Sequence, residues 1–324
     1  MQKFGEFIPR VFLNSMYVKI VSILYQDCQM NSIVTAKALS ARKKFAGRQW
    51  FYDFRELTQR IDEQNAQKIA DSLSVRYSKL TKFWDKEKNS EWMCRIYLSA
   101  KMVMNATIQI NSMEFAKERN IRITTPYLTY YSLLSLLRGI VYTLPEVEWE
   151  NGKLIEISHH KAINLAFDHL SAFNKDLSEE FKNITLTAKA YRELISYRSP
   201  TSGDSIIESI SIEAIATLLA EVAQFNSEIL ESSIIKKADG ASFEFLSKYI
   251  KELSGITIEG INFFDQEDAY RLNYLRRKYP LPPNVLHVMT EGHVEDFFGA
   301  WLPSEEIEGA FDPDENWGVI FDIP

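Results

Sequence analysis

Cysteine is almost missing from this chain of 324 residues: Cys28 and Cys94 are the only two. They form no metal-type or redox-type spacing, which excludes a zinc ribbon, a thioredoxin-like site and a disulfide scaffold. Two free buried thiols in a reducing compartment are the expectation. Glycine and proline are also scarce, at 12 and 10, too few turn formers for an all-β sandwich or barrel. No run of eighteen uncharged apolar residues occurs, so no membrane span is expected. Met1 to Arg10 lack the basic-then-apolar order of a secretory signal, and the expected location is cytoplasmic. Lysine and arginine are absent from Glu291 to Pro324, where ten Asp and Glu stand. Removing those ten from the 44 acids leaves 34 against 37 basic residues, so a body of about +3 carries a separately acidic tail.

What is present is apolar and helical in period. A hydrophobic content of 46% supplies a large core. Ile61, Ile69, Leu73 and Leu80 recur at near-helical intervals between Thr58 and Trp84, as on an amphipathic helix. Met93, Ile96, Tyr97, Met102, Ala106 and Ile110 give a broad apolar face between Glu91 and Glu118. Thr125 before Pro126 reads as an N-cap and first helical position. The helix that follows to Tyr142 carries Leu and Tyr on every side, which places Tyr131, Leu134 and Leu137 in the core. Asn151-Gly152 between Trp149 and Leu154 predicts a type I′ β-hairpin over Glu146 to Ile157.

Ser158 predicts the cap of a helix to Phe173, and Asp176 opens another. In the latter, Leu177, Phe181, Ile184, Ala188, Tyr191 and Ile195 form one packing stripe. Ser199-Pro-Thr-Ser-Gly-Asp204 is the best candidate boundary. Helical patterns resume over Ile206 to Ile234, Phe243 to Leu253 and Gln266 to Lys278, before a rigid Tyr279-Pro-Leu-Pro-Pro283 connector. Phe297, Phe298, Trp301, Phe311, Trp317 and Phe321 in the acidic tail predict that it packs on the body. No phosphate-cradling loop, nucleophile elbow or His-Glu-x-x-His helix is present, so no cofactor and no metal is implied.

Three groups of residues carry candidate chemistry. Arg192 and Arg198 sit on one helix, six positions and about 120° apart, with Glu193 and Tyr197 beside them. Such a pair suits a phosphate, or simply neighbouring glutamates and a helix C-terminus. His159 and His160 open a helix that also holds His169, and they point about 100° apart, so one at most faces any single site. Lys37, Arg42, Lys43, Lys44 and Arg48 form a basic run interleaved with Phe45, Trp50, Phe51 and Tyr52. That mixture suits RNA backbone and unpaired bases, and equally a solvated face beside buried aromatics. His293-Val-Glu295-Asp296 offers cation-type ligands, with structural use the plainer reading.

The order of apolar helix, hairpin, Ser158-His159-His160 helix and Arg192-tipped helix resembles the HEPN-like helical proteins over residues 91–204. The Pro126-Tyr-Leu-Thr-Tyr-Tyr-Ser-Leu-Leu-Ser-Leu-Leu-Arg138 stretch is similar to YaaC-like bacterial proteins, a resemblance that implies no particular chemistry. In active HEPN ribonucleases an Arg, followed four to six residues later by His, cleaves RNA without metal, usually across a dimer. The resemblance puts Arg192 at the Arg position, while Arg198 or Tyr197 fills the His position. His159 or His160 replaces the missing imidazole only where the fold brings it to Arg192.

The expectation is an all-α protein with one short β-hairpin: an N-terminal helical extension (1–90), a HEPN-like helical core (91–204) and a C-terminal helical cap with an acidic aromatic tail (205–324). The function expected is RNA binding or metal-independent endoribonuclease action, as a toxin or phage-defence effector. The alternative is a non-catalytic interaction or scaffold protein in a defence or toxin complex, with a small-molecule enzyme third. Partners expected are RNA and a second copy or other protein, and no membrane.

Overall fold

The computed structural model describes residues 52–289, 292–303, 305 and 307–323, with only the backbone of Asp204. The basic run from Lys37 to Arg48, and Cys28, lie outside the described residues.

The described chain is mostly helical, with eleven α-helices and one two-stranded sheet. The helices are α1 Glu56–Arg60, α2 Glu63–Thr81, α3 Lys86–Glu118, α4 Thr125–Tyr142, α5 His159–Ser171 and α6 Lys175–Arg198. They continue as α7 Glu213–Lys237, α8 Ser247–Ser254, α9 Gln266–Lys278, α10 Val285–Met289 and α11 His293–Gly299. β1 Gly255–Ile258 and β2 Ile261–Phe264 pair between α8 and α9.

The longest helix, α3, begins where Asp85 accepts from the Lys88 amide, an acidic N-cap. It ends on Asn120 in the left-handed region (φ 58). There Ile121 N donates to Ala116 O at 2.7 Å and Asn120 N to Lys117 O at 3.0 Å. That is a Schellman closure with Asn in the glycine position, and a 3₁₀ turn over Arg122–Thr124 then leads into α4. The two helices approach closely at Gly139, where an added Cβ would lie 3.5 Å from both Met102 Cβ and Ser99 O. Ser99 Oγ donates to Gly139 O at 2.9 Å.

Leu134 and Leu137 are buried, as their helix predicts, but Tyr131 is 37% exposed and is not a core residue. It projects toward α6 and His159 instead. The start of α4 also differs from expectation. Thr124 is the N-cap, without a side-chain capping bond, and Pro126 is the second helical residue rather than the first.

At the other end of α4, Arg95 of α3 is almost fully buried and gathers the exit of the helix. Its Nε donates to Tyr142 O at 2.8 Å, Nη2 to Leu144 O at 2.6 Å and Nη1 to Val147 O at 2.8 Å. Glu91 pairs with Nη1 at 3.2 Å, and the guanidinium lies over the Trp92 ring at 3.8 Å. A buried charge is tolerated when it is paired and its donors are used; here the helix-end carbonyls do most of that.

The next helix of the core, α7, is buried around nearly its whole circumference. Several of its polar residues find partners. Glu221 accepts from the amides of Arg55 and Leu57, both at 2.6 Å, capping α1. Asn226 joins His169 of α5 (3.1 Å) to Thr143 Oγ1 (2.9 Å). Gln224 and Ser227 accept from the amides of Leu286 and Val285 at the start of α10. One hydrophobic cluster then runs from Tyr52 to Phe321. The tail packs as expected: Phe321 lies against Tyr52, Phe311 against Phe115 and Trp317 against Phe298. Trp301 is the exception, and is exposed.

The expected hairpin around Asn151-Gly152 is absent. Glu150, Asn151 and Gly152 are all left-handed (φ 49, 55 and 87), one more than a type I′ turn uses. The third positive φ coils the chain, so Leu154 N returns to Trp149 O at 3.3 Å and Lys153–Glu156 form a 3₁₀ turn. Trp149 and Leu154 are buried there rather than paired across strands.

The hairpin that does form turns at Glu259 (φ 51) and Gly260 (φ 76), the two residues a type I′ turn needs. Ile256 stands opposite Phe263 and Ile258 opposite Ile261, which puts all four on one face. All four are exposed.

Candidate active site

Two helices that are distant in sequence bring His159 and Arg192 to one corner, with α4 as the floor. Ser158 caps α5, its side chain accepting from Lys161 N at 3.4 Å. His159 is therefore the first helical residue, directed at α4. There its Nδ1 lies 2.9 Å from the phenol oxygen of Tyr130, and its ring meets Tyr131 edge-on at 6.1 Å. α6 is fixed alongside by its apolar stripe, with Leu177, Phe181, Ala188 and Ile195 buried. A further bond from Ser196 Oγ to Tyr127 Oη (3.1 Å) ties its end to α4. This packing holds the Arg192 guanidinium 5.2 Å from the Tyr130 ring centre and 5.7 Å from that of Tyr131. Cation–π attraction at such distances is worth about 0.5–1 kcal/mol at partly exposed sites.

The electrostatics are one-sided. Burial, reinforced by Arg138, Arg192 and Lys189, holds the His159 pKa below its ordinary value. The imidazole is neutral at pH 7 as a result. Arg138 donates to Ile157 O at 3.1 Å. The Nε atoms of Arg138 and Arg192 are both buried without a hydrogen-bond partner. Lys189 has Glu193 within 3.8 Å. Tyr197, beside the guanidinium of Arg192, is 75% exposed, an uncovered aromatic ring at the mouth of the corner.

The other sequence candidates separate from it. His160 is exposed and packs its ring on the Asn164 amide at 3.1 Å, one helical step away from the corner. Arg198 is exposed in the last turn of α6 and makes no contact with His159 or Arg192 among the described residues. His169 is buried and bonded to Asn226, with its pKa pushed down by burial to about 4. His293 is likewise buried, its Nδ1 donating to Val288 O at 3.0 Å, while Asp296 pairs with Arg271. No group of metal-ligating side chains occurs among the described residues. A cavity of about 450 Å³ lies on the neighbouring face of α6, lined by Lys117, Arg122, Thr125, Tyr191 and Ile207 among others, and shares none of the corner's residues.

Sequence reasoning missed Tyr130, Tyr131, Arg138 and Lys189 as site residues. Their signal was spacing: Tyr131 and Arg138 are seven apart, and Lys189 and Arg192 three apart, so each pair shares a helical face. Neither a protein-family model, nor a curated protein, nor a solved structure matches this chain.

Proposed function

We propose that this protein is a HEPN-like RNA-binding protein whose Arg192–His159 corner grips the phosphodiester backbone and cleaves it without a metal ion. The observation that carries this reading is that Arg138 and Arg192 both act on a neutral His159 imidazole, with the Tyr130 side chain touching His159 and lying under Arg192. Two guanidinium groups near one imidazole suit a bound anion with several oxygens, and a phosphate supplies them. Tyr197 and Tyr131 offer ring faces to unpaired bases, the common mode for single-stranded RNA.

In the reaction, the 2′-hydroxyl oxygen attacks the adjacent phosphorus as its proton passes to water. The bond to the 5′ oxygen breaks, that oxygen takes up a proton, and a cyclic phosphate is left. Arg192 and Arg138 stabilise the charge that builds on the phosphorane oxygens. His159 donates toward the same centre. The role falls to His159 rather than to Arg198 or Tyr197, the residues that stand at the family's His position. Fluorescence anisotropy with a labelled single-stranded RNA tests the binding. Affinity should fall steeply with rising salt, and absence of binding at low salt would remove the reading.

The second reading, an interaction protein without catalysis, is favoured by the exposed apolar face of the hairpin. Patches of this kind mark contact surfaces, for a second copy or another protein. Light scattering on the purified chain, with Ile258→Lys as the control, distinguishes a dimer built on that face from a monomer.

A further inference from the structure

The hydrogen-bonding capacities of three side chains in the corner leave a single consistent arrangement. Tyr130 is fully buried, so its hydroxyl has no water to donate to. Burial also raises its pKa, against the opposing pull of Arg192, and the phenol keeps its proton. A guanidinium carries donors and no acceptor. Arg192, whose guanidinium lies 5.2 Å from the Tyr130 ring centre, therefore offers the phenol proton no acceptor. The phenol proton then has one acceptor within reach among the described residues, Nδ1 of His159 at 2.9 Å.

We infer that Tyr130 is a positioning residue that locks His159 in the tautomer protonated on Nε2, so that the ring meets its ligand as a neutral N–H donor. The inference rests on the phosphodiester reading of the corner and narrows it. With Nδ1 occupied and Nε2 protonated, His159 has no lone pair for the 2′-hydroxyl proton and is not the base. It donates a hydrogen bond to an oxygen on which negative charge develops, as an oxyanion-type group does.

The surroundings agree with this assignment. Protonating the ring puts a proton on Nδ1, which turns Tyr130 into the acceptor of that bond and strands its buried hydroxyl hydrogen. Arg138 on α4, and Lys189 and Arg192 on α6, oppose the same positive charge. The N-terminal end of α5, where His159 sits, opposes it as well. No carboxylate contacts the ring among the described residues. Tyr131, the remaining neighbour, presents only a ring edge.

The test is a long-range ¹H–¹⁵N correlation spectrum of the full chain labelled in histidine nitrogen, without RNA, with the His159 signals assigned through His159→Gln. The expected pattern is protonated Nε2 with an unprotonated, hydrogen-bonded Nδ1, and a titration midpoint below that of an ordinary histidine. Tyr130→Phe should give a mixture of tautomers and raise the titration midpoint by about one unit, because it removes the bond that favours the neutral ring. A wild-type signal showing protonated Nδ1 would overturn the inference, and that result needs no variant to fold. An unchanged tautomer and midpoint in a folded Tyr130→Phe protein would overturn it too. Failure of RNA binding with the Nε2 tautomer in place would remove the functional reading alone.

Discussion

The phenol oxygen of Tyr130 stands 2.9 Å from Nδ1 of His159, across a sequence gap of 29 residues that contains a coil rather than the expected strands. That contact joins the buried wall of α4 to the first turn of α5. Because the Arg192 guanidinium lies over the ring of the same tyrosine from α6, three helices share one polar corner.

The core of α4 makes the first prediction. Leu134→Ala should lower stability by about 2–5 kcal/mol, the range for a buried leucine truncated to a methyl. Tyr131→Ala, at a residue 37% exposed, should cost less than about 1 kcal/mol while weakening RNA binding. Urea unfolding midpoints of the two variants check the contrast, and equal losses would contradict the assigned burial.

Arg95 should be intolerant of truncation. Arg95→Ala leaves Glu91 and the carbonyls of Tyr142, Leu144 and Val147 without their shared donor, a loss of about 3–5 kcal/mol for a broken buried pair. Thermal melting well below the wild type is expected; a shift of a degree or two would show that water enters and replaces the guanidinium.

Stability should fall on acidification between about pH 6.5 and pH 4. His169 and His293 both titrate near 4 in the folded chain, because burial disfavours their charged forms, against about 6.5 when unfolded. In that window the unfolded chain binds protons that the folded chain does not, so the folded state loses ground as pH drops. Each histidine contributes on the order of 3 kcal/mol. Denaturant midpoints from pH 7 to 4 test it, and His169→Gln should flatten part of the slope.

Much of the architecture was legible because helix signals are local. The Ser158 cap, the Leu134–Leu137 core and the α6 stripe each depend on residues within a few turns. The hairpin was misplaced because Asn151-Gly152 has the residues of a type I′ turn but Glu150 adds a third left-handed step, which no pairwise rule detects. The hairpin that forms, at Glu259-Gly260, carries a weaker turn signal beside Ile256, Ile258, Ile261 and Phe263. The corner was half legible. Arg192 and His159 were candidates on residue type, yet only tertiary packing decides which of two adjacent histidines faces the guanidinium. Tyr130 and Tyr131 stood in a run of leucines and read as packing. Both border the corner, Tyr130 from the buried side and Tyr131 from the exposed one.

The claim at the centre of this account is that Arg192 and His159 act together on RNA, and metal-free cleavage tests it most directly. Wild-type protein and Arg192→Ala should be incubated with single-stranded RNA in excess chelator, with melting curves taken on both. The account predicts cleavage by the wild type and a loss of about 100-fold or more in the variant at a nearly unchanged melting temperature, since Arg192 lies at the edge of the packing. Equal cleavage by the two proteins would contradict it, as would activity lost only in step with the fold.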